Sequence, residues 1–397
     1  FNAVDTLFVG QLGGRALAAM SFTFPVVMVV TAAAIGKSAG TSSVIARAVG
    51  ANDDARTRRL CTDALLLAAL VAAALSLLGI VSIDPVFTLG FLSVVLFVVP
   101  MVGLGSIRAT GDTRVPMYIM IGAEVLNGVI DPLLIFGRGP FPRLDLVGAA
   151  LALVIARIMM FIITLFVLGA RLQMIEFKLP PARTLMSSWQ AILHVGLPAA
   201  VTNMIIPLCT AVVTAMLASY GADVVAGFGV ASRIEALSLI AFYALSAVIG
   251  PVLGQNFAAG KIPRMLEAVN VSAVFCFAFG LLLTVLMWVF GEPMAALFND
   301  ASAIINVAKT FLYLVPLSYG AAGMVMTANA AFNGFGSPLP AVIISTARMA
   351  FIYLPLAWVG GKLFGYAGIF GAYAAANLVC GVGGYVWIRS RVKKLAT

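Results

Sequence analysis

Long apolar runs dominate the chain, and short polar clusters punctuate them. A run of about 20 residues is long enough to cross a hydrocarbon core of about 30 Å as a helix. Read at that length, the pattern predicts spans over 1–12, 15–46, 60–82, 91–107, 116–137, 146–170, 189–218, 223–255, 265–290, 302–332, 339–361 and 367–388. The runs are too long, and too rich in Leu, Ala, Met and Gly, for the period-two strands of a barrel. No water reaches the bilayer core to satisfy an irregular backbone, so helices remain. The expected fold is an all-α membrane protein of twelve transmembrane helices, the first of them truncated.

The polar clusters between spans differ in charge. One alternate set holds Arg47, Arg56, Arg58, Arg59, Arg108, Arg114, Arg171, Lys178, Arg183, Lys261, Arg264 and the tail Arg389, Arg391, Lys393 and Lys394. The other holds Arg15, Arg138, Arg143 and Lys362. The excess of Lys and Arg marks the first set as cytoplasmic. The expectation is a multi-pass protein of a bacterial-type inner membrane with both termini inside. Composition agrees: 62% of residues are hydrophobic and 10% charged, against about half and about a quarter in a soluble domain. The net charge of +9 is spread over the loops rather than gathered in a patch, so nucleic acid is not an expected partner. No cleavable leader is visible, and the chain opens inside a span.

The chain repeats itself. RALAAMSF near residue 15 resembles VVAGFGVA near 224, SSVIARAVGAND resembles GPVLGQNFAAGK, and Asp84-Pro85 resembles Glu292-Pro293, all at an offset close to 208 residues. Six-helix halves that start on the same side are parallel repeats, a plan used by transporters. The lobes expected are 1–178 and 179–397. Against its copy, the first half lacks about 20 residues ahead of Asp5 and about 15 after Leu89-Gly90. The expectation is that the starts of the first and fourth helices are missing from this sequence.

Two carboxylates stand inside apolar spans, Asp5 in FNAVDTLFVGQLG and Asp131 in VLNGVIDPLLIFG. An ionisable group costs several kcal/mol or so in hydrocarbon, so each must face a cavity or a partner. Asn127 lies four residues before Asp131 and shares its face, and Glu124 lies within about 60° of that face at about 100° per residue. Pro132 lacks a backbone donor, which frees the carbonyl of Gly128. A carboxylate, a carboxamide and a freed carbonyl can hold a proton or a hard cation such as Na⁺. Asp5 and Asp131 lie at similar depth in the outer half of the first lobe, and one proton shared between them would titrate as a pair. The alternative is a structural, hydrogen-bonded aspartate.

Other charges have plainer readings. Glu124 and Arg157 stand near mid-depth on neighbouring spans and are expected to form a structural ion pair. Arg233 and Glu235 are two apart, so they do not face each other; Arg348 is a candidate partner for Glu235, and a role in the substrate cavity is the alternative for both. Lys37, in AIGKSAGTSS, lies roughly 14 Å from the inner end of its span, at about 1.5 Å per residue, too deep for simple snorkelling. It is placed on the inner vestibule. Lys309 can snorkel outward. Met28, Phe242, Met324 and Met326 are candidates for a permissive cavity wall, since methionine-rich surfaces adapt to varied ligands. Gly36-Gly40 and Gly250-Gly254 have the four-residue spacing of close helix packing. Cys61, Cys209, Cys276 and Cys380 are far apart and read as buried free thiols. With His194 the single histidine, no metal site and no cofactor are expected.

Taken in order, VDTLFVGQLG, SSVIARAVGAND, SIRATGDTRVP, VLNGVIDPLLIFG, ASRIEALSL and GPVLGQNFAAGK resemble the multidrug and toxic compound extrusion (MATE) family over nearly the whole chain. The resemblance implies two six-helix lobes around a central cavity and cation-coupled export of organic, often cationic, compounds. The positions where NorM-like members carry acids fall near Ile206 and Ala322, so the chain is more similar to the DinF-like branch, with coupling confined to the first lobe. A family tyrosine near the start of the fourth helix falls in the missing stretch. A family polar position in the sixth helix is replaced by alanine or leucine around Ala149 to Leu153. The position matching Asp5 in the second lobe is near Val213. Lys37 departs from the small residue usual there.

The expected function is therefore a monomeric secondary exporter, not an enzyme. It would exchange lipophilic organic cations against H⁺, with Na⁺ as the alternative ion, at Asp5, Asp131 and Asn127. The first alternative is a related lipid-linked oligosaccharide flippase, which would need a basic central cavity. An intramembrane enzyme is a second, and would need a nucleophile–base pair or a metal cluster.

Overall fold

The computed structural model describes residues 14–80, 85–137, 142–176 and 180–395, with side-chain environments from residue 27 onward except 78–92. Asp5 and the 1–12 span lie outside the described residues. Within them every regular element is a helix. In order these are α1 (Gly14–Gly50), α2 (Asp54–Ile80), α3 (Pro85–Ala109), α4 (Arg114–Phe136), α5 (Asp145–Phe166) and α6 (Ala182–Ala218). Then come α7 (Ala222–Ser238), α8 (Ile240–Ala258), α9 (Ile262–Ala296), α10 (Ser302–Leu314), α11 (Tyr319–Gly334), α12 (Leu339–Thr346) and α13 (Leu354–Lys393).

Among the described residues nine helical stretches are long and apolar enough to cross a membrane. The last, Leu339–Lys393, holds two expected spans, because Gly365 breaks α13 at φ 63° and ψ −152°. The shorter apolar stretch Ser93–Ala109 adds another. With these, each span expected beyond 1–12 has its helix. α9 shows why the helices need a bilayer: Val271, Val274, Phe277, Leu281 and Trp288 all stand exposed along it. Such a continuous apolar surface in water would be an aggregation site; against lipid tails it is at home.

The chain forms two compact units, Phe1–Ala200 and Val201–Thr397, so the division falls inside α6. Each unit has its own apolar core. Ala34, Ile45, Leu104, Ile107 and Leu168 belong to the first, and Phe311, Tyr319 and Phe370 to the second. The repeat reappears in the elements. At the same offset, α1 corresponds to α7 and α8 together, and α2 to the start of α9. Their connecting turns place Asn52 at φ 54° and Gly260 at φ 67° in equivalent positions. Both turns need a left-handed residue, which Gly supplies freely and Asn tolerates.

Uniformly apolar helices have no polar face to orient them, so small residues set the contacts. A Cβ on Gly36 would meet the Gly196 carbonyl oxygen at 2.5 Å and the Ala200 nitrogen at 2.7 Å. One turn on, Gly40 lies against the backbone of Ile192 and Gly196. These glycines hold α1 against the first half of α6. In the second unit Gly250 and Gly334 bring α8 and α11 together in the same way.

Candidate functional site

The site is built on α4. Asp112 starts that helix by accepting hydrogen bonds from the backbone of Arg114 at 2.9 Å and Val115 at 3.1 Å. Gly137 ends it in the left-handed conformation, at φ 68°. Between them Pro116, Ile119, Ala123, Asn127, Asp131, Leu134 and Ile135 form one buried stripe. The spacing of three and four residues that buries the apolar members buries the two polar ones with them.

Asn127 and Asp131 have no exposed surface. The Asn127 Nδ2 donates to Asp131 Oδ1 at 3.3 Å. Asn127 Oδ1 has no hydrogen-bond partner among the described residues. Gly128 and Pro132 stand half-buried beside the stripe. Glu124 is half-buried on its flank rather than on it. α5 covers the stripe with small residues: a Cβ on Gly148 would meet the Leu134 carbonyl oxygen at 2.5 Å, and Ala149, Ala152 and Ala156 are buried. The alanines expected around 149–153 thus let α5 close over α4 without offering a polar group of their own.

Arg157, on α5, turns toward α3. Its guanidinium donates to Ser93 Oγ and lies 5.0 Å from the centre of the Phe97 ring. Lys37 is 7% exposed on α1, and its Nζ has no hydrogen-bond partner among the described residues. Next to it, Ser38 Oγ donates to the Met101 carbonyl at 2.9 Å and receives Arg108 Nη2 at 3.2 Å. Met28 is half-buried farther along α1.

The second unit carries a different polar group. Arg348 Nη1 donates to Asn377 Oδ1 at 3.3 Å, and Asn377 Nδ2 donates to Ser318 Oγ at 3.1 Å. All three side chains are buried. Glu235 lies within electrostatic reach of Arg348 and of the Tyr373 hydroxyl, but its Oε1 has no hydrogen-bond partner among the described residues. Arg348 sits in a π-helical stretch, Ala347–Tyr353, just before Leu354-Pro355. Arg233 is exposed. Met324 and Met326 are half-buried against the core. Phe242 is fully enclosed, with Phe275 and Phe279 edge-on at 6.4 and 5.4 Å. It packs as core and presents no surface to a cavity. Asn377 and Ser318 were not singled out from the sequence; a lone Asn in the apolar run AAANLV was the available signal.

All four cysteines are buried and free. Among the described residues no group of His, Cys, Asp and Glu could hold a metal ion.

A family model described as MatE matches residues 1–90 and 198–359. The chain belongs to the MATE family. It is 35% identical to a protein of Shewanella oneidensis named FAD transporter, covering 97% of this chain and 89% of that one. It is 27% identical to the probable multidrug resistance protein NorM of Thermotoga maritima, covering 94% of this chain and 84% of the relative. Among solved structures it is similar to the Vibrio cholerae MATE transporter VcmN in the bent form, at a TM-score of 0.89 and 27% identity, covering 99% of this chain and 92% of the other. MATE chains are multi-pass membrane transporters, which sets aside the enzyme reading. The helical fold expected from the sequence is the one this MATE chain adopts.

Proposed function

We propose that this MATE chain is a cation-coupled exporter of the bacterial inner membrane, with Asp131 as the coupling carboxylate and Asn127 as its partner. The observation that carries the reading is the fully buried Asn127–Asp131 pair on the covered stripe of α4. A carboxylate there is tolerable when a proton or a hard cation neutralises it. Asp5, by its place in the sequence, is the second carboxylate of the site. Binding of H⁺, or of Na⁺, from outside favours one arrangement of the first unit, and substrate favours another. Exchange follows because each ligand has different affinity for the two states. The apolar residues at Ile206 and Ala322 support a DinF-like arrangement without a matching acid in the second lobe. The loop charges support cytoplasmic termini.

For the exported compound, the 35% identity to a named FAD transporter over nearly the whole chain supports a flavin dinucleotide or a close chemical relative. Lipophilic organic cations are the second reading. The names of the multidrug relatives and the acidic Glu235 support it. The test is accumulation of FAD and of ethidium in everted vesicles under separately imposed proton and sodium gradients. Asp131→Asn is expected to lose gradient-driven accumulation of whichever compound the wild type moves, by at least about tenfold. Wild-type accumulation by that variant under the same gradient would overturn the coupling assignment.

A further inference from the structure

Among the described residues of the first unit, Lys37 is a buried charge that the coupling site does not use and that no hydrogen bond answers. It is 7% exposed, deep within α1, and its Nζ has no hydrogen-bond partner among the described residues. Several carboxylates of the same unit are engaged elsewhere. Asp63 pairs with Arg59, Asp145 with Arg143, and Asp53 and Asp112 cap helices. On the neighbouring helix α3, Arg108 reaches Ser38, the residue next to Lys37. One turn from Lys37, Thr41 is 1% exposed, and its Oγ1 also lacks a partner; so does Ser42 Oγ. A buried ammonium without a counter-charge is costly, and its own fold gains nothing from it. Buried polar groups that stay unsatisfied within the protein mark a place where a ligand completes them.

We propose that Lys37, with the Thr41 hydroxyl one turn along α1, holds a phosphate group of an anionic substrate inside the first unit. An ammonium and a hydroxyl donate to phosphate oxygens, and the charge on the phosphate neutralises Lys37. Lysine serves here as a point charge and needs no fixed fork geometry. This inference rests on the reading of the chain as an exporter of a flavin dinucleotide, and it adds the residue that distinguishes such a substrate from a lipophilic cation. In the repeat, Lys37 corresponds to Leu245 and Thr41 to Ile249, so the second unit has no copy of this group.

The experiment uses the full protein in everted vesicles and in nanodiscs, as wild type, Lys37→Met and Lys37→Arg. Lys37→Met is expected to lower FAD accumulation and FAD affinity by about tenfold or more, the scale of one charge-assisted hydrogen bond. Lys37→Arg should retain most of both. Ethidium accumulation should be unchanged or higher in Lys37→Met. Inorganic pyrophosphate should compete with FAD on the wild type and not on Lys37→Met. Nanodiscs of phosphatidylcholine alone and with phosphatidylglycerol separate two sources of phosphate. Pyrophosphate-sensitive FAD binding in both assigns the site to a soluble nucleotide. A Lys37 effect seen only with the anionic lipid assigns it to a lipid head group. Wild-type FAD binding by Lys37→Met would overturn the inference. So would equal loss of FAD and ethidium from a correctly folded Lys37→Met. If the wild type moves ethidium but neither moves nor binds FAD, the flavin reading fails; if FAD moves normally in Lys37→Met, the inference alone fails.

Discussion

The two units are built on one plan and carry different charges. Gly111 of the first corresponds to Gly334 of the second, and the same shift carries Asp131-Pro132 onto Leu354-Pro355. The proline is kept and the carboxylate is not. Asp5 corresponds to the buried Val213, and Lys37 to Leu245. In return, Glu235 and Arg348 of the second unit correspond to Val27 and Val125 of the first. Neither unit is a functional copy of the other. The first holds a buried carboxylate–carboxamide pair and a lysine with no hydrogen-bond partner among the described residues. The second holds a chain of side chains bonded to one another, Arg348, Asn377 and Ser318, with Glu235 in electrostatic reach of Arg348. A charge answered by the fold stabilises a structure. A charge left for a ligand is available to sense one.

That contrast can be broken by removing one cation from each unit. Arg348→Met strips Asn377 of a donor and Glu235 of its nearby positive charge. It is expected to lower unfolding free energy by roughly 3 kcal/mol, measured by equilibrium unfolding in mixed micelles. Lys37→Met removes a buried charge that compensates nothing, and stability should hold or rise in the same assay. If Lys37→Met destabilised as much as Arg348→Met, both lysine and arginine would be structural, and the contrast between the units would collapse.

A smaller effect tests whether close helix contact is shared by both units. Gly36→Ala pushes a methyl group into the backbone of α6 and should cost about 1–3 kcal/mol. Gly334→Ala, against the Gly250 backbone, should cost a similar amount. Smallest of all is the surface pair Lys309–Glu292, whose side chains are 2.5 Å apart and largely exposed. Lys309→Met should leave the melting temperature unchanged, because solvent screens such pairs.

Much of this was legible in the residues. Span lengths gave the helices, since a bilayer of fixed thickness imposes a fixed run of apolar residues. The pairing of Asn127 with Asp131 followed from four-residue spacing on one helix, and their burial from the apolar residues on the same face. That Glu235 would come within electrostatic reach of Arg348 was harder to read, because the two are distant in sequence and only charge complementarity pointed to it. Phe242 illustrates the limit. Its chemistry suits a cavity wall and a core equally, and the choice was made by Phe275, Phe279 and the absent side chain of Gly323. Asn377 and Ser318 escaped notice for the same reason: in helices apolar on every side, no periodicity tells a lipid-facing position from an inward one.

By itself, then, the sequence determined the helices, their repeat, the family's motif order and the groups that share a face within one helix. These depend on helix pitch and on bilayer thickness, both fixed locally. The tertiary structure alone decided which helices touch, and so which buried charge meets a partner. Arg348 was answered by Asn377, Arg157 was turned toward Ser93 and Phe97, and Lys37 was enclosed without a hydrogen-bond partner among the described residues. Such contacts depend on where glycines and alanines let two backbones approach, and that is a property of two surfaces together, which no single apolar run specifies.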